Sequence, residues 1–129
     1  MTNKEFATKW FAAIDAQDTA TMTSMMAPNH QFNNPMGPAL DGGGHIGMMG
    51  MWYASFSGFK HTLEHIISDG EWIAIHGNVK MKHTGDFNGI PATGREIGLS
   101  WIDMMHIADG KLADEYMEFN PMTMMAQLS

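Results

Sequence analysis

The stretch EWIAIHGNVKMKH (71–83) alternates between apolar and polar residues with a period of two. One face carries Ile73, Ile75, Val79, Met81 and His83, and the other carries Trp72, His76, Asn78, Lys80 and Lys82. A period of two is typical of a β-strand whose two faces meet different surroundings. The stretch therefore predicts a long strand with one buried face.

Three neighbouring segments complete a meander around this strand. Residues 59–68 precede it across the Asp69–Gly70 turn, and residues 95–108 follow it after a glycine-rich loop. Residues 111–120 return across the Asp109–Gly110 turn, which has the composition of a tight hairpin. Long strands joined in this way predict a curved antiparallel sheet.

The segments outside the meander are mostly helical. Apolar side chains at spacings of three and four predict helices over about 4–17 and 45–56. A shorter helix carrying Met22, Met25 and Met26 should end before Pro28, and HQFNN (30–34) should be a short strand. Residues 34–44 hold two prolines and four glycines, which predicts a loop, and Pro121 suits the start of a closing helical turn.

This order of elements predicts an α+β fold in one domain, residues 1–129. A curved antiparallel sheet packed against about three N-terminal helices should form a cone that encloses an apolar pocket. We expect Trp10, Asn34, Trp52, Phe56, Trp101 and Tyr116 to line that pocket.

Composition restricts the partners of such a domain. The formal charge is −7 without a basic cluster, which disfavours nucleic acid and anionic membranes. The N-terminus lacks an apolar signal core and cysteine is absent, so we expect a cytoplasmic protein without disulfides. The fifteen methionines fit flexible core packing better than copper binding.

Three segments carry a resemblance to a known family. HTGDFNGIPATGR (83–95), IDMMHIADGKLADEY (102–116) and MMAQL (124–128) resemble the SnoaL-like polyketide cyclases of the nuclear-transport-factor-two-like superfamily. The resemblance implies intramolecular aldol condensation of a hydrophobic, carbonyl-bearing small molecule by acid–base catalysis, without cofactor or metal. It also implies a homodimer that associates through the outer face of the sheet.

The family's catalytic acid follows an aromatic residue of the last strand by four positions, which here points from Tyr116 to Asn120. An amide can hydrogen-bond a carbonyl, but it cannot abstract a proton. Asn120 could equally cap the helix that begins at Pro121. The missing acid keeps a second function open, a non-catalytic binding or carrier domain of the same fold.

Two other carboxylates could replace the missing acid. Alternation ties Glu118 to the face that carries Asp114, Tyr116 and Asn120, so Glu118 is a candidate if that face lines the cone. Asp103 stands between apolar residues of the preceding strand, where burial should raise its pKa and make it a candidate base.

The histidines give a weaker signal. His61 and His65 have the spacing that chelates zinc on a helix, but on a strand they would lie roughly 13 Å apart. We therefore expect no tightly bound metal. His83 is the better pocket candidate, and with Asp103 it would form the His–Asp pair that a dehydratase needs. The sequence does not decide the roles of His30 and His45.

Overall fold

A six-stranded sheet and four helices make up the protein, and the computed structural model describes all 129 residues. The strands are β1 (Met26–Asn34), β2 (Gly37–Leu40), β3 (Phe56–Asp69), β4 (Trp72–His83), β5 (Glu96–Ala108) and β6 (Lys111–Phe119). The helices are α1 (Asn3–Asp15), α2 (Thr19–Met25), α3 (Gly42–Ser55) and α4 (Pro121–Leu128). In the sheet the strands follow the order β2-β1-β6-β5-β4-β3.

The predicted α+β meander is confirmed. Strands β3 to β6 are antiparallel neighbours, and the β4–β5 ladder runs without a break from Trp72 opposite His106 to Lys82 opposite Glu96. The prediction of a wholly antiparallel sheet is wrong for β1, which pairs with β6 in parallel. Parallel neighbours need a long connection between them, and here that connection includes α3 and the rest of the meander.

The prediction of a loop over residues 34–44 is also wrong in part. Residues 37–40 form β2, which pairs with β1 as the edge strand of the sheet. An edge strand tolerates Pro38 because one of its sides needs no ladder hydrogen bonds. Helix α3 begins earlier than predicted because the Asp41 side chain accepts a hydrogen bond from Gly44 N at 2.8 Å.

The core lies between the inner face of the sheet and helices α1 to α3. Trp10 and Phe11 of α1 are fully buried, and Met22 and Met49 pack in the same cluster. Inner and outer residues alternate along β4 and β5, as their apolar pattern predicts. No helix in the structure combines the length and the apolar character needed to cross a bilayer.

Candidate active site

A cavity opens between helices α1 and α3 and the inner face of the sheet. Its volume is about 720 Å³ when the open mouth is included. Fourteen of its eighteen lining residues are hydrophobic, and the four polar ones are Asn34, His45, His61 and Glu115. Apolar walls with a few convergent polar groups are typical of small-molecule sites.

Glu115 reaches the cavity from the inner face of β6 and has a second carboxyl group beside it. Asp103 on β5 pairs in register with Met117, while Glu115 pairs with Met105, so the two acids are diagonal neighbours on one face. Both are buried, with exposed fractions of 0% for Asp103 and 1% for Glu115. No other group of the protein donates a hydrogen bond to either Asp103 oxygen or to Glu115 Oε1, so the side-chain partner of Asp103 is Glu115 itself, once one of the two acids is protonated.

This environment favours the protonated forms of both acids. Burial raises the pKa of Glu115 from 4.5 to about 7. Burial first, and the negative charge of Glu115 second, raise the pKa of Asp103 well above its ordinary value. At neutral pH the pair therefore holds at least one proton next to the cavity, because two adjacent buried carboxylates cannot both ionise cheaply.

A histidine pair lies close to this carboxyl pair. His30 Nε2 and His45 Nδ1 are 2.9 Å apart, and His30 Nδ1 lies 3.0 Å from the carbonyl oxygen of Leu112. Phe32 stacks on the His45 ring with a centroid distance of 3.7 Å and an interplanar angle of 1°. The first turn of α3 and strand β1 therefore hold both rings in fixed orientations.

The Leu112 carbonyl fixes the tautomers of both rings. Burial lowers the pKa of His30, and burial together with His30 lowers the pKa of His45 to about 3, so both rings are neutral at physiological pH. A carbonyl only accepts, so His30 must donate from Nδ1 and accept at Nε2. His45 must then donate from Nδ1, which leaves its Nε2 lone pair free as an acceptor.

A His–Asp pair stands at another part of the cavity wall. Asp15 ends α1, and its carboxylate accepts from the His61 backbone N–H at 2.9 Å and contacts His61 Nδ1 at 2.5 Å. This backbone N–H is available because β3 is the other edge strand of the sheet. Asp15 thereby fixes the orientation of an imidazole that lines the cavity, as carboxylates do for catalytic histidines.

The sequence of residues 4–128 matches the model of the SnoaL-like polyketide cyclase family. The chain belongs to this family. No curated protein matches it significantly.

Solved structures agree on the fold of the family. The chain is similar to IdmH of Streptomyces antibioticus, a proposed polyketide cyclase, with 23% identity, 99% of each chain covered and a TM-score of 0.89. It is also similar to AclR of Streptomyces galilaeus, a proposed hydroxylase, with 17% identity, 97% and 93% coverage and a TM-score of 0.88. A proposed polyketide cyclase of Pseudomonas putida gives 20% identity, 100% and 99% coverage and a TM-score of 0.85.

Four of the six residues predicted to line the family pocket do so, namely Trp10, Asn34, Trp52 and Trp101. Phe56 is instead fully buried in the core beside the cavity, in contact with Phe87. Tyr116 lies on the outer face of the sheet and is 44% exposed, because the phase of β6 points its neighbour Glu115 inward.

Glu118 was a candidate only if its face of β6 lines the cone, and that face is the outer one. Glu118 shares the outer face with Tyr116 and is exposed to solvent, away from the cavity. Asn120, at the family's acid position, caps α4 through hydrogen bonds from Met122 N at 2.9 Å and Thr123 N at 3.3 Å. The structure thus favours the capping alternative for Asn120.

His83 is buried at the end of β4 and does not line the cavity. Its Nδ1 accepts a hydrogen bond from Thr93 N at 3.1 Å, which fastens the loop that precedes β5. His83 therefore does not form a pair with Asp103, and the His–Asp pair of this cavity is His61 with Asp15. Asp103 is buried as predicted, although Glu115 and not Asp103 lines the cavity.

Glu115 was not predicted from the sequence. A signal was present, because Glu115 shares a strand face with the apolar Met117 and Phe119, just as Asp103 shares one with Trp101 and Met105. The structure also brings together two histidines whose roles the sequence did not decide, His30 and His45. His30, His45 and Glu115 bring three possible ligand atoms within 4.8 Å of one another, although the two histidines already hydrogen-bond to each other.

Proposed function

We propose that this protein is a lyase or isomerase of the polyketide cyclase type, which acts by proton transfer on a hydrophobic, carbonyl-bearing small molecule held in the cavity. The observation that carries this proposal is that two acid–base groups, His61 with Asp15 and Glu115 with Asp103, face one apolar cavity. Family membership supports the substrate class.

Glu115 is suited to act as the acid. Its pKa of about 7 means that a large fraction of it is protonated at neutral pH, which matches the optimum for a general acid. Asp103 is its hydrogen-bond partner, and this bond limits how far burial raises the pKa of Glu115. The neutral His45 adds a hydrogen-bond acceptor that can orient a hydroxyl group of the ligand.

His61 is suited to act as the base. Its Nδ1 contacts the Asp15 carboxylate, which fixes the orientation of the imidazole and leaves Nε2 as the nitrogen that can take a proton. In the proposed reaction His61 removes a proton from the carbon next to a carbonyl, and the resulting enolate carbon attacks a second carbonyl. A carbon–carbon bond forms, and Glu115 gives its proton to the new alkoxide. The apolar walls exclude water and thereby strengthen both transfers.

The test uses a panel of aromatic and linear 1,3-dicarbonyl compounds. Binding is followed by tryptophan fluorescence, since Trp10, Trp52 and Trp101 line the cavity, and proton transfer is followed by NMR as deuterium uptake from D₂O. His61→Gln should lower the exchange rate by roughly 10²–10⁴ while binding is retained, because His61 takes the proton from carbon. Glu115→Gln should leave exchange in place and lower the formation of the cyclised product by a similar factor, because Glu115 acts after the carbon–carbon bond has formed. Glu118→Gln is the matched control on the outer face of the same strand and should retain full activity.

The outcome separates two functions. Unchanged exchange in His61→Gln, or unchanged product formation in Glu115→Gln, contradicts the role proposed for that residue. Tight binding without exchange by any compound favours the second candidate, a carrier domain. The observation behind that candidate is that Asn120, at the family's acid position, only caps α4.

We also propose that two copies associate through the outer face of the sheet. Trp72, Ile102, Met104 and Tyr116 expose apolar surface there, with exposed fractions between 37% and 56%. Apolar and aromatic side chains of this kind are enriched at protein interfaces. Light scattering at micromolar concentration should give twice the chain mass, and a monomeric mass contradicts the dimer.

A further inference from the structure

Three side chains outside the cavity converge at the edge of the outer sheet face. Glu64 and His65 lie on β3, and His76 lies opposite His65 on β4. The ladder between these strands slips by one residue at Glu64, because Leu63 pairs with Gly77 and His65 with His76. This bulge turns two consecutive side chains, Glu64 and His65, to the same outer face, whereas Leu63 and Ile66 pack towards the core.

The ligand atoms of the three residues have the spacing of one coordination sphere. His65 Nδ1 and His76 Nδ1 are 3.2 Å apart, and His76 Nδ1 and Glu64 Oε2 are 3.6 Å apart. Without an ion the two imidazoles share a hydrogen bond, and an ion would replace it once His65 carries its proton on Nε2. Two ligands on one tetrahedral zinc ion, each bonded at about 2.1 Å, lie about 3.4 Å apart. Small rotations of the three side chains would therefore bring all three ligand atoms to within bonding distance of one ion.

Outer partners already orient two of the three ligands. His76 Nε2 lies 3.1 Å from Ser100 Oγ, so its N–H can donate there while Nδ1 presents its lone pair. Asn78 Nδ2 donates to Glu64 Oε1 at 2.5 Å, which leaves Oε2 for the ion. Metal-binding histidines and carboxylates are commonly held by partners of this kind.

We propose that Glu64, His65 and His76 form a binding site for a divalent transition cation of the zinc type. Two imidazoles and one carboxylate match zinc, nickel or copper(II), and the exposed position leaves a coordination place for water. The bound ion would join β3 to β4 at the edge of the sheet and stabilise the folded chain. The spacing of His61 and His65 along one strand led us to expect no bound metal. The proposed site differs because His65 is paired instead with His76 on the neighbouring strand.

The experiment is a calorimetric titration of the metal-free full chain with zinc chloride at pH 7.5. Wild type should bind one equivalent, and its midpoint of thermal unfolding should rise with zinc. His65→Asn and His76→Asn should lose this equivalent. Asn78→Ala should weaken the affinity about 10–100-fold, the loss that outer partners of metal ligands typically cause. His106→Asn is the matched control, since His106 also lies among carboxylates on the outer face.

Since all three ligands are at the surface, these variants should fold normally, which circular dichroism without zinc verifies. Failure of the wild type to bind stoichiometric zinc overturns the proposal. Equal zinc uptake by His65→Asn and His76→Asn also overturns it. Uptake that disappears only in His45→Gln places the ion in the cavity and likewise rejects the surface site. Loss or retention of zinc binding in His65→Asn and His76→Asn does not bear on the acid–base function, because neither histidine lines the cavity.

Discussion

Glu115→Gln should stabilise the protein at pH 8 while leaving its stability almost unchanged at pH 4.5. Burial raises the pKa of Glu115 from 4.5 to about 7, so the folded state holds this proton more tightly than the unfolded state. The stabilising effect of the protonated side chain is complete below pH 4.5 and is lost as the pH rises through about 7. Glutamine resembles the protonated acid in shape and cannot ionise.

The size of the effect follows from the same difference in pKa. Each pH unit between the two values corresponds to about 1.4 kcal/mol, so ionisation of Glu115 costs the folded state roughly 3 kcal/mol. The amide loses little by comparison, because its N–H group can keep the hydrogen bond to Asp103 that the protonated acid makes. The gain in the free energy of unfolding at pH 8 should therefore approach roughly 3 kcal/mol.

Urea unfolding followed by tryptophan fluorescence at pH 4.5 and pH 8 measures this gain. Glu118→Gln, on the exposed face of the same strand, controls for the general effect of removing one negative charge. A gain of the same size at both pH values, or no gain at pH 8, would refute the reasoning. If Glu115→Gln is more stable at pH 8 but less active, Glu115 behaves as an active-site residue that lowers the stability of the fold.

Three further predictions concern residues around the cavity and the sheet. In ¹⁵N NMR, His45 should keep its proton on Nδ1 and show no titration above pH 4, because its pKa is lowered to about 3; titration near pH 6.5 contradicts this. Gly77→Ala should destabilise the fold by roughly 1–3 kcal/mol in urea unfolding, since the new Cβ would lie 2.5 Å from Trp101 Cζ2. Gly98→Ala is the control, where the nearest atom is 3.8 Å away, and equal losses in both variants reject the steric explanation. Asn120→Ala should lower the melting temperature, because it removes about 1 kcal/mol of helix capping. Asn120→Asp should keep the cap and leave activity unchanged, and new activity in this variant contradicts the capping role of Asn120.

The sequence alone predicted most of the helices and strands and much of the cavity wall. Alternation along residues 71–83 correctly separated inner from outer faces, because each face meets a uniform environment over its whole length. The burial of Asp103 followed from the same pattern. The edge strand β2 was missed, since prolines and glycines at an edge have the composition of a loop.

The phase of β6 was decided by the tertiary structure. Carboxylates occupy both faces of this strand, Glu115 on one and Glu118 on the other, so composition did not mark the inner face. The ladder to β5 slips between His106 and Ile107, and the register after that slip turns Glu115 towards the cavity. A shift of one residue exchanges every side chain between the two faces of a strand.

The acid–base pairs also arose only in three dimensions. Asp15 and His61 are 46 positions apart, and His30 and His45 are 15 apart and on different elements. Periodicity reports the burial of one residue relative to its neighbours in the chain, so the sequence could predict strands and a buried carboxylate. The pKa of Glu115 and the tautomer of His45 depend instead on groups that distant segments bring into contact, and that contact exists only in the folded chain.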